Sequence, residues 1–195
     1  VRLRYNAPVI LTFTLAATAV LVVDQVAGGF VERFFVCPPR IQAGNLLDYL
    51  RLFSYVLGHK NWQHLISNFA FVLLIGPVLE EKYRSGPILL MIAATALITG
   101  LLNVLLFTTA LMGASGVVFM LILLSSFTNI RSGEIPLTFL LVVVLFLAKE
   151  VIAGFANDDI SQFAHILGGF LGSLFGFLFT RRAKPAAPGP ISRSD

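Results

Sequence analysis

The sequence predicts an all-α polytopic membrane protein with six transmembrane helices in a compact bundle. Three observations carry this. Of 195 residues, 57% are hydrophobic, and the 16 glycines raise the apolar share to roughly two-thirds, against about half in a soluble domain. Only 12% are Asp, Glu, Lys or Arg, about half the usual share and too little to clothe a water-soluble globule of this size. Long apolar runs recur along the chain, and roughly 20 helical residues cross a hydrocarbon core of about 30 Å. A soluble domain, a disordered chain and a disulfide scaffold are excluded together. The single cysteine, Cys37, permits neither an intrachain disulfide nor a thiolate metal cage. The net charge of +4 and pI near 9.6 read as basic loops against a membrane surface rather than a nucleic-acid face.

The first span runs from Pro8 to Val26. Arg2 and Arg4 precede it as they would a signal peptide, but the run is long for that and no small-residue cleavage site closes it. The chain starts at Val1 rather than Met, which leaves room for residues upstream. The connection Ala27–Asn61 is too long and mixed for a tight turn. Leu46, Leu47, Tyr49, Leu50, Leu52, Phe53 and Tyr55 make it half-apolar, which suits a segment lying partly in the interface, with Tyr55 and Trp62 as headgroup-level anchors. The second span covers Trp62–Leu79, followed by a loop Glu80–Gly86. The third is Pro87–Phe107, the fourth a short run Ala114–Phe127, the fifth Ile135–Ile152 and the sixth Ile160–Thr180. The tail Arg181–Asp195, with Pro185, Pro188 and Pro190, reads as disordered. The division is a single membrane domain, 1–180, and a cytoplasmic tail, 181–195.

Placing both termini on one side gives that side nine of the fourteen Lys and Arg residues: Arg2, Arg4, Lys82, Arg84, Arg131, Arg181, Arg182, Lys184 and Arg193. The positive-inside rule makes it cytoplasmic.

Polar residues inside spans are costly and tend to mark function. His64 and Asn68, four apart, share one face of the second span; interhelical hydrogen bonding explains them as well as chemistry does. His165 lies about one turn inside the sixth span, as a packing residue or a functional one. Beside it Ala164, Gly168, Gly172 and Gly176 recur every fourth residue, a stripe that lets helix backbones approach closely. Ser115, in Gly113-Ala114-Ser115-Gly116, reads either as a helix N-cap or as a nucleophile left open by its glycines beside outward-pointing backbone N–H groups. Ser115 and His165 both fall near the outer ends of their spans, so a Ser–His hydrogen bond is geometrically possible.

These residues resemble the rhomboid family of intramembrane serine proteases, in its six-helix bacterial form. The motif Gly-x-Ser-Gly is Gly113–Gly116, and Ala-His-x-x-Gly-x-x-x-Gly is Ala164–Gly172. His-x-x-x-x-His-x-x-x-Asn is met by His59, His64 and Asn68, with Arg51 eight residues before the first histidine. The resemblance implies that Ser115 is the nucleophile and His165 the general base. It further implies that His64 and Asn68, beside Gly113, donate to the oxyanion and that His59 supports the loop. Arg51, Phe119, Gly116, Gly168 and Gly172 enter as supporting positions. Three positions depart from the family pattern: Leu50 stands where Trp is frequent, Phe119 where Tyr often stacks under the histidine, and Lys82-Tyr83-Arg84 delays the expected glycine to Gly86. The loop near Gly154–Ser161 looks like the family's mobile cap.

The resemblance also implies a catalytic dyad, no cofactor, and substrates that are transmembrane segments of other membrane proteins, with a small residue before the cut. Lipids are the other expected partner, and nucleic acid is not one. Oligomeric state stays open. The expected location is a bacterial inner or plasma membrane, with the site opening outward. Three rivals are weighed: a catalytically inactive adaptor that binds transmembrane helices, a small transporter or channel, and a membrane metalloprotease. Asp24 and Lys149–Glu150 sit at span ends, where snorkelling explains them. His59 and His64 are five apart, off a common helix face, and no His-Glu-x-x-His occurs.

Overall fold

The computed structural model describes residues 4–127 and 159–180, with isolated helical positions at 137, 141, 144, 145 and 148. The expected fifth span, Arg131, most of the cap and the tail lie outside the described residues. Among those described, regular structure is helical, apart from an isolated antiparallel bridge between Cys37 and Leu111.

The helices are α1 (Pro8–Ala27), α2 (Phe30–Phe34), α3 (Leu46–Ser54) with a 3-10 turn at Tyr55–Leu57, α4 (Trp62–Tyr83), α5 (Ser85–Leu106), α6 (Ser115–Phe127) and α7 (Asp159–Thr180). Four of these are long and apolar enough to cross a membrane: α1, α4, α5 and α7. Their outer faces carry exposed Leu15, Val22, Leu74, Val78, Leu90, Leu105, Ile166 and Phe170. Large apolar side chains in that number on an outer surface call for a lipid solvent. The shorter α6 is the reverse case: Val117 to Ile122 and Leu124 are buried, so it runs through the middle of the bundle.

Two close approaches set the packing. Gly76 of α4 faces Ile10 of α1, where an added Cβ would lie 2.7 Å from Ile10 Cδ1. The Phe13 and Phe69 rings meet next to it with centroids 5.0 Å apart. Gly168 and Gly172 of α7 lie on the backbone of Gly116 and Met120 of α6, where Cβ atoms would come 2.8 and 2.9 Å from the carbonyl carbons. The small-residue stripe therefore works as backbone-to-backbone packing.

The charged stretch after the second span is not the loop Glu80–Gly86. Helix α4 runs on to Tyr83 and α5 begins at Ser85, with Arg84 alone between them at φ 70°. The left-handed conformation sits on an arginine, while Gly86 lies inside α5. Glu80 explains why the helix continues: it is buried, and its carboxylate accepts from the backbone N–H groups of Val9 and Ile10, both at 3.0 Å, and from Ser85 Oγ at 2.6 Å. Asp24, in the last turn of α1, accepts from the Val31 N–H at 2.8 Å through Oδ1 and so ties α1 to α2. At the other end of the chain, α7 starts at Asp159, so residues 159–161 of the expected cap are helical.

Candidate active site

The long connection between α1 and α4 builds one wall. Asn45 caps α3, accepting from Leu47 N–H at 3.1 Å, and donates to Asp48 at 3.0 Å. Asp48 is buried and pairs with Arg51 at 2.9 Å, while Arg51 also donates to the Arg33 carbonyl of α2. Arg51 thus holds α2 against α3. The helix it belongs to ends in the 3-10 turn, where the Tyr55 carbonyl accepts from Gly113 N–H at 3.0 Å. Cys37 and Leu111 exchange both backbone hydrogen bonds, at 2.9 and 3.0 Å. Asn103 Nδ2 donates to the Thr109 carbonyl at 2.9 Å. The segment entering α6 is therefore pinned at Thr109, Leu111 and Gly113.

Asn61 starts α4, its side chain accepting from His64 N–H at 2.8 Å, which is the N-cap geometry. His64 then falls in the first turn and Asn68 one turn later, both toward Gly113. Gly113 has φ 110°, and a Cβ there would lie 2.7 Å from His64 Cε1, 2.8 Å from His64 Nε2 and 3.8 Å from Asn68 Nδ2. Both the backbone angle and the space require glycine.

His59, in the loop before α4, is fully buried. Its ring centroid is 4.9 Å from that of His64, so the two histidines meet although no helix face joins them in the sequence. Among the described residues no three His, Cys, Asp or Glu side chains gather as a metal site.

On the other wall, α6 begins at Ser115, which is half-buried. Phe119, one turn on, lies under His165 with ring centroids 4.3 Å apart and planes 2° from parallel. Residues four apart share a helix face, so Ser115 and the ring supporting His165 are on the same side of α6. The Gly116–Gly168 and Ala164–Gly116 contacts hold that register, a Cβ at Gly116 coming 3.2 Å from the Ala164 carbonyl oxygen.

A family model, Rhomboid domain, matches residues 47–182. The chain belongs to the rhomboid family. Among curated relatives, it is 23% identical over 137 residues to Rhomboid protease GlpG of Haemophilus influenzae, covering 69% of this chain and 71% of that one. It is 28% identical over 141 residues to the Putative rhomboid protease YdcA of Bacillus subtilis, covering 69% of each. Rhomboid-related protein 1 of Caenorhabditis elegans is 30% identical over 172 residues, which are 78% of this chain but 46% of that longer protein.

Sequence reasoning missed three features of this rhomboid: Tyr55 as the carbonyl that holds Gly113, the Cys37–Leu111 bridge, and Glu80. The first two are backbone contacts and leave no side-chain signature. Glu80 is visible as an acidic residue closing an apolar run, but its backbone partners, Val9 and Ile10, are about 70 residues away.

His59 also gives a pH dependence. Burial pulls its pKa from 6.5 down to about 4, with the His64 ring adding to the effect and the Leu57 carbonyl opposing it. Unfolded His59 takes up a proton near 6.5, folded His59 only near 4, so the unfolded state binds more protons between those values. Stability present above pH 6.5 is therefore lost as the pH falls toward 4. The unfolding midpoint in detergent is expected to drop across this range more steeply in wild type than in His59→Gln. Equal slopes would remove His59 from the account.

Proposed function

We propose that this rhomboid is an intramembrane serine endopeptidase that cuts peptide bonds in or near transmembrane segments of other membrane proteins. The parallel stack of His165 on Phe119, one turn from Ser115 on the same face of α6, carries the reading. The stack fixes the imidazole plane beside the face of α6 that carries Ser115. His165 takes the Ser115 proton as the hydroxyl attacks the scissile carbonyl. The tetrahedral oxyanion is held by the Ser115 backbone N–H with His64 and Asn68 as side-chain donors, over the bare backbone of Gly113. His165 then protonates the leaving amine, and a water molecule, deprotonated by His165, releases the acyl group.

Two carboxylates are buried among the described residues, Asp48 and Glu80. Asp48 is committed to Arg51 and Glu80 to the start of α1; the reading is a Ser115–His165 dyad, with the Phe119 face stacked on the histidine.

The depth of the site follows from length and the orientation from the Lys and Arg distribution. The 13 residues of α6 rise about 20 Å at 1.5 Å each, short of a core of roughly 30 Å. A helix that short leaves Ser115 below one membrane surface, in a recess that admits water. With a fifth span at 135–152 the chain crosses six times as one membrane domain, both termini lie inside, and the recess opens outward. A substrate helix hides its carbonyls, so segments with Gly or Pro that unwind readily are favoured.

A fluorophosphonate probe is expected to label the detergent-solubilised protein at Ser115 and not to label Ser115→Ala. Cleavage of a reconstituted transmembrane substrate is expected to vanish in Ser115→Ala and in His165→Ala. No labelling of a folded wild-type protein would turn the reading to an inactive helix-binding adaptor.

A further inference from the structure

His59 has more to do than fill the loop. Its Nδ1 lies 3.2 Å from the Leu57 carbonyl oxygen. A carbonyl only accepts, so Nδ1 carries the proton. The neutral ring then has a bare Nε2, and that atom lies 3.2 Å from Asn68 Nδ2. The amide nitrogen is the donor there, and the opposite rotamer would set the Asn68 carbonyl oxygen against a lone pair. One N–H of Asn68 is thereby committed to His59. The other, fixed in the same plane, is left for the side of Gly113, 3.8 Å from where a Cβ would stand. Ring contacts with His64, at 4.9 Å, and with Phe69, at 5.5 Å, hold the imidazole edge-on. The ring has no room to swing, being fully buried.

We propose that His59 is a positioning residue that sets the Asn68 amide, so that the donor facing Gly113 is an N–H and never the carbonyl oxygen. The inference rests on the protease reading of the same site. An amide has two nearly equal orientations by shape alone, and only one stabilises an oxyanion. His59 supplies the chemical difference between them through a relay that starts at the Leu57 carbonyl.

The test compares wild type, His59→Phe, His59→Gln, Asn68→Ala and the His59→Phe/Asn68→Ala double variant on a reconstituted transmembrane substrate. Phe keeps the ring and removes the acceptor; Gln restores an acceptor at the same reach. His59→Phe is expected to lower kcat about tenfold with KM within about twofold, and His59→Gln to recover most of the loss. The double variant is expected to match Asn68→Ala, because His59 has nothing to position once the amide is gone. Equal losses in the Phe and Gln variants, a change confined to KM, or a further loss on top of Asn68→Ala would each reduce His59 to packing.

A second measurement is independent of turnover. Solid-state nitrogen spectra of histidine-labelled protein in lipid at pH 7, assigned by the signal missing in His59→Gln, are expected to show His59 protonated at Nδ1 and bare at Nε2. A proton on Nε2 overturns the relay whatever the activity. If the spectra agree but wild type shows no Ser115-dependent turnover, the protease reading fails and the catalytic purpose of the relay fails with it.

Discussion

Gly168→Ala is expected to lower kcat/KM by about a hundredfold or more, while Gly169→Ala leaves it near wild type. A Cβ at residue 168 would lie 2.8 Å from the Gly116 carbonyl carbon and 3.0 Å from its Cα. These are backbone atoms of a buried helix and cannot turn aside. Helices α6 and α7 have to separate, and overpacking of this kind costs about 1–3 kcal/mol or more. The functional cost exceeds the structural one. His165 lies one turn before Gly168, so separation lifts the imidazole from Phe119 and away from Ser115. A base must stand within about 2.6–3.2 Å of the proton it removes, and a displacement of about 1 Å costs on the order of a hundredfold. At Gly169 the nearest neighbours are Leu123 side-chain carbons at 3.6 Å, ordinary contact, and alanine favours the helix by up to about 1 kcal/mol. Wild-type cleavage by Gly168→Ala would show that the helix crossing does not place the histidine.

Glu80→Ala is expected to give the larger loss of stability, lowering the unfolding midpoint in detergent by roughly 10 °C. Helix α1 has no side-chain cap of its own: Ala7 precedes it, at φ 49°. Its first position is Pro8, which has no N–H to satisfy. Leu11 donates to the Ala7 carbonyl at 3.0 Å. The donors left over are those of Val9 and Ile10, and Glu80 takes both, bringing negative charge to a helix N-terminus. Alanine strands one buried donor, Ile10, and one part-buried donor, Val9, at about 1–3 kcal/mol for each donor left unsatisfied. A loss of about 3 kcal/mol at roughly 2–4 °C per kcal/mol gives the stated shift. Ser85→Ala removes the remaining partner, at 2.6 Å, and is expected to cost less because it orphans no backbone group. Probe labelling of Ser115 should survive in Glu80→Ala below its midpoint. An unchanged midpoint would mean that α1 starts without help from α4.

The spans were legible because apolar runs and helices share a length scale. The α1, α4, α5, α6 and α7 boundaries differ from the sequence expectation by four residues at most. The failures have one cause. Glu80, Glu81, Lys82 and Arg84 read as a loop because charge near a span end usually means solvent, yet the backbone groups that Glu80 accepts from lie about 70 positions away. His59 and His64 read as off a common helix face, and it is the loop before α4, invisible to helical periodicity, that brings their rings to 4.9 Å. The Ala164–Gly172 stripe was legible as packing, since small residues at every fourth position have few other physical uses. The long connection was legible as half-apolar but not as α2, α3 and a 3-10 turn. Helices of 5 and 9 residues are held by Arg51 and the Asn45 cap more than by periodicity.

The pins on the segment before Ser115 bear on how freely this protein can diverge. Cys37 with Leu111, and Tyr55 with Gly113, are joined through peptide groups, which every residue but proline can offer in full. Such joints place no demand on side-chain identity at Cys37 or Leu111 beyond what fits the space. Side chains at Cys37 and Leu111 can therefore change while the segment before Ser115 stays joined to the connection between α1 and α4. Relatives at 23–30% identity are what a scaffold with that tolerance permits.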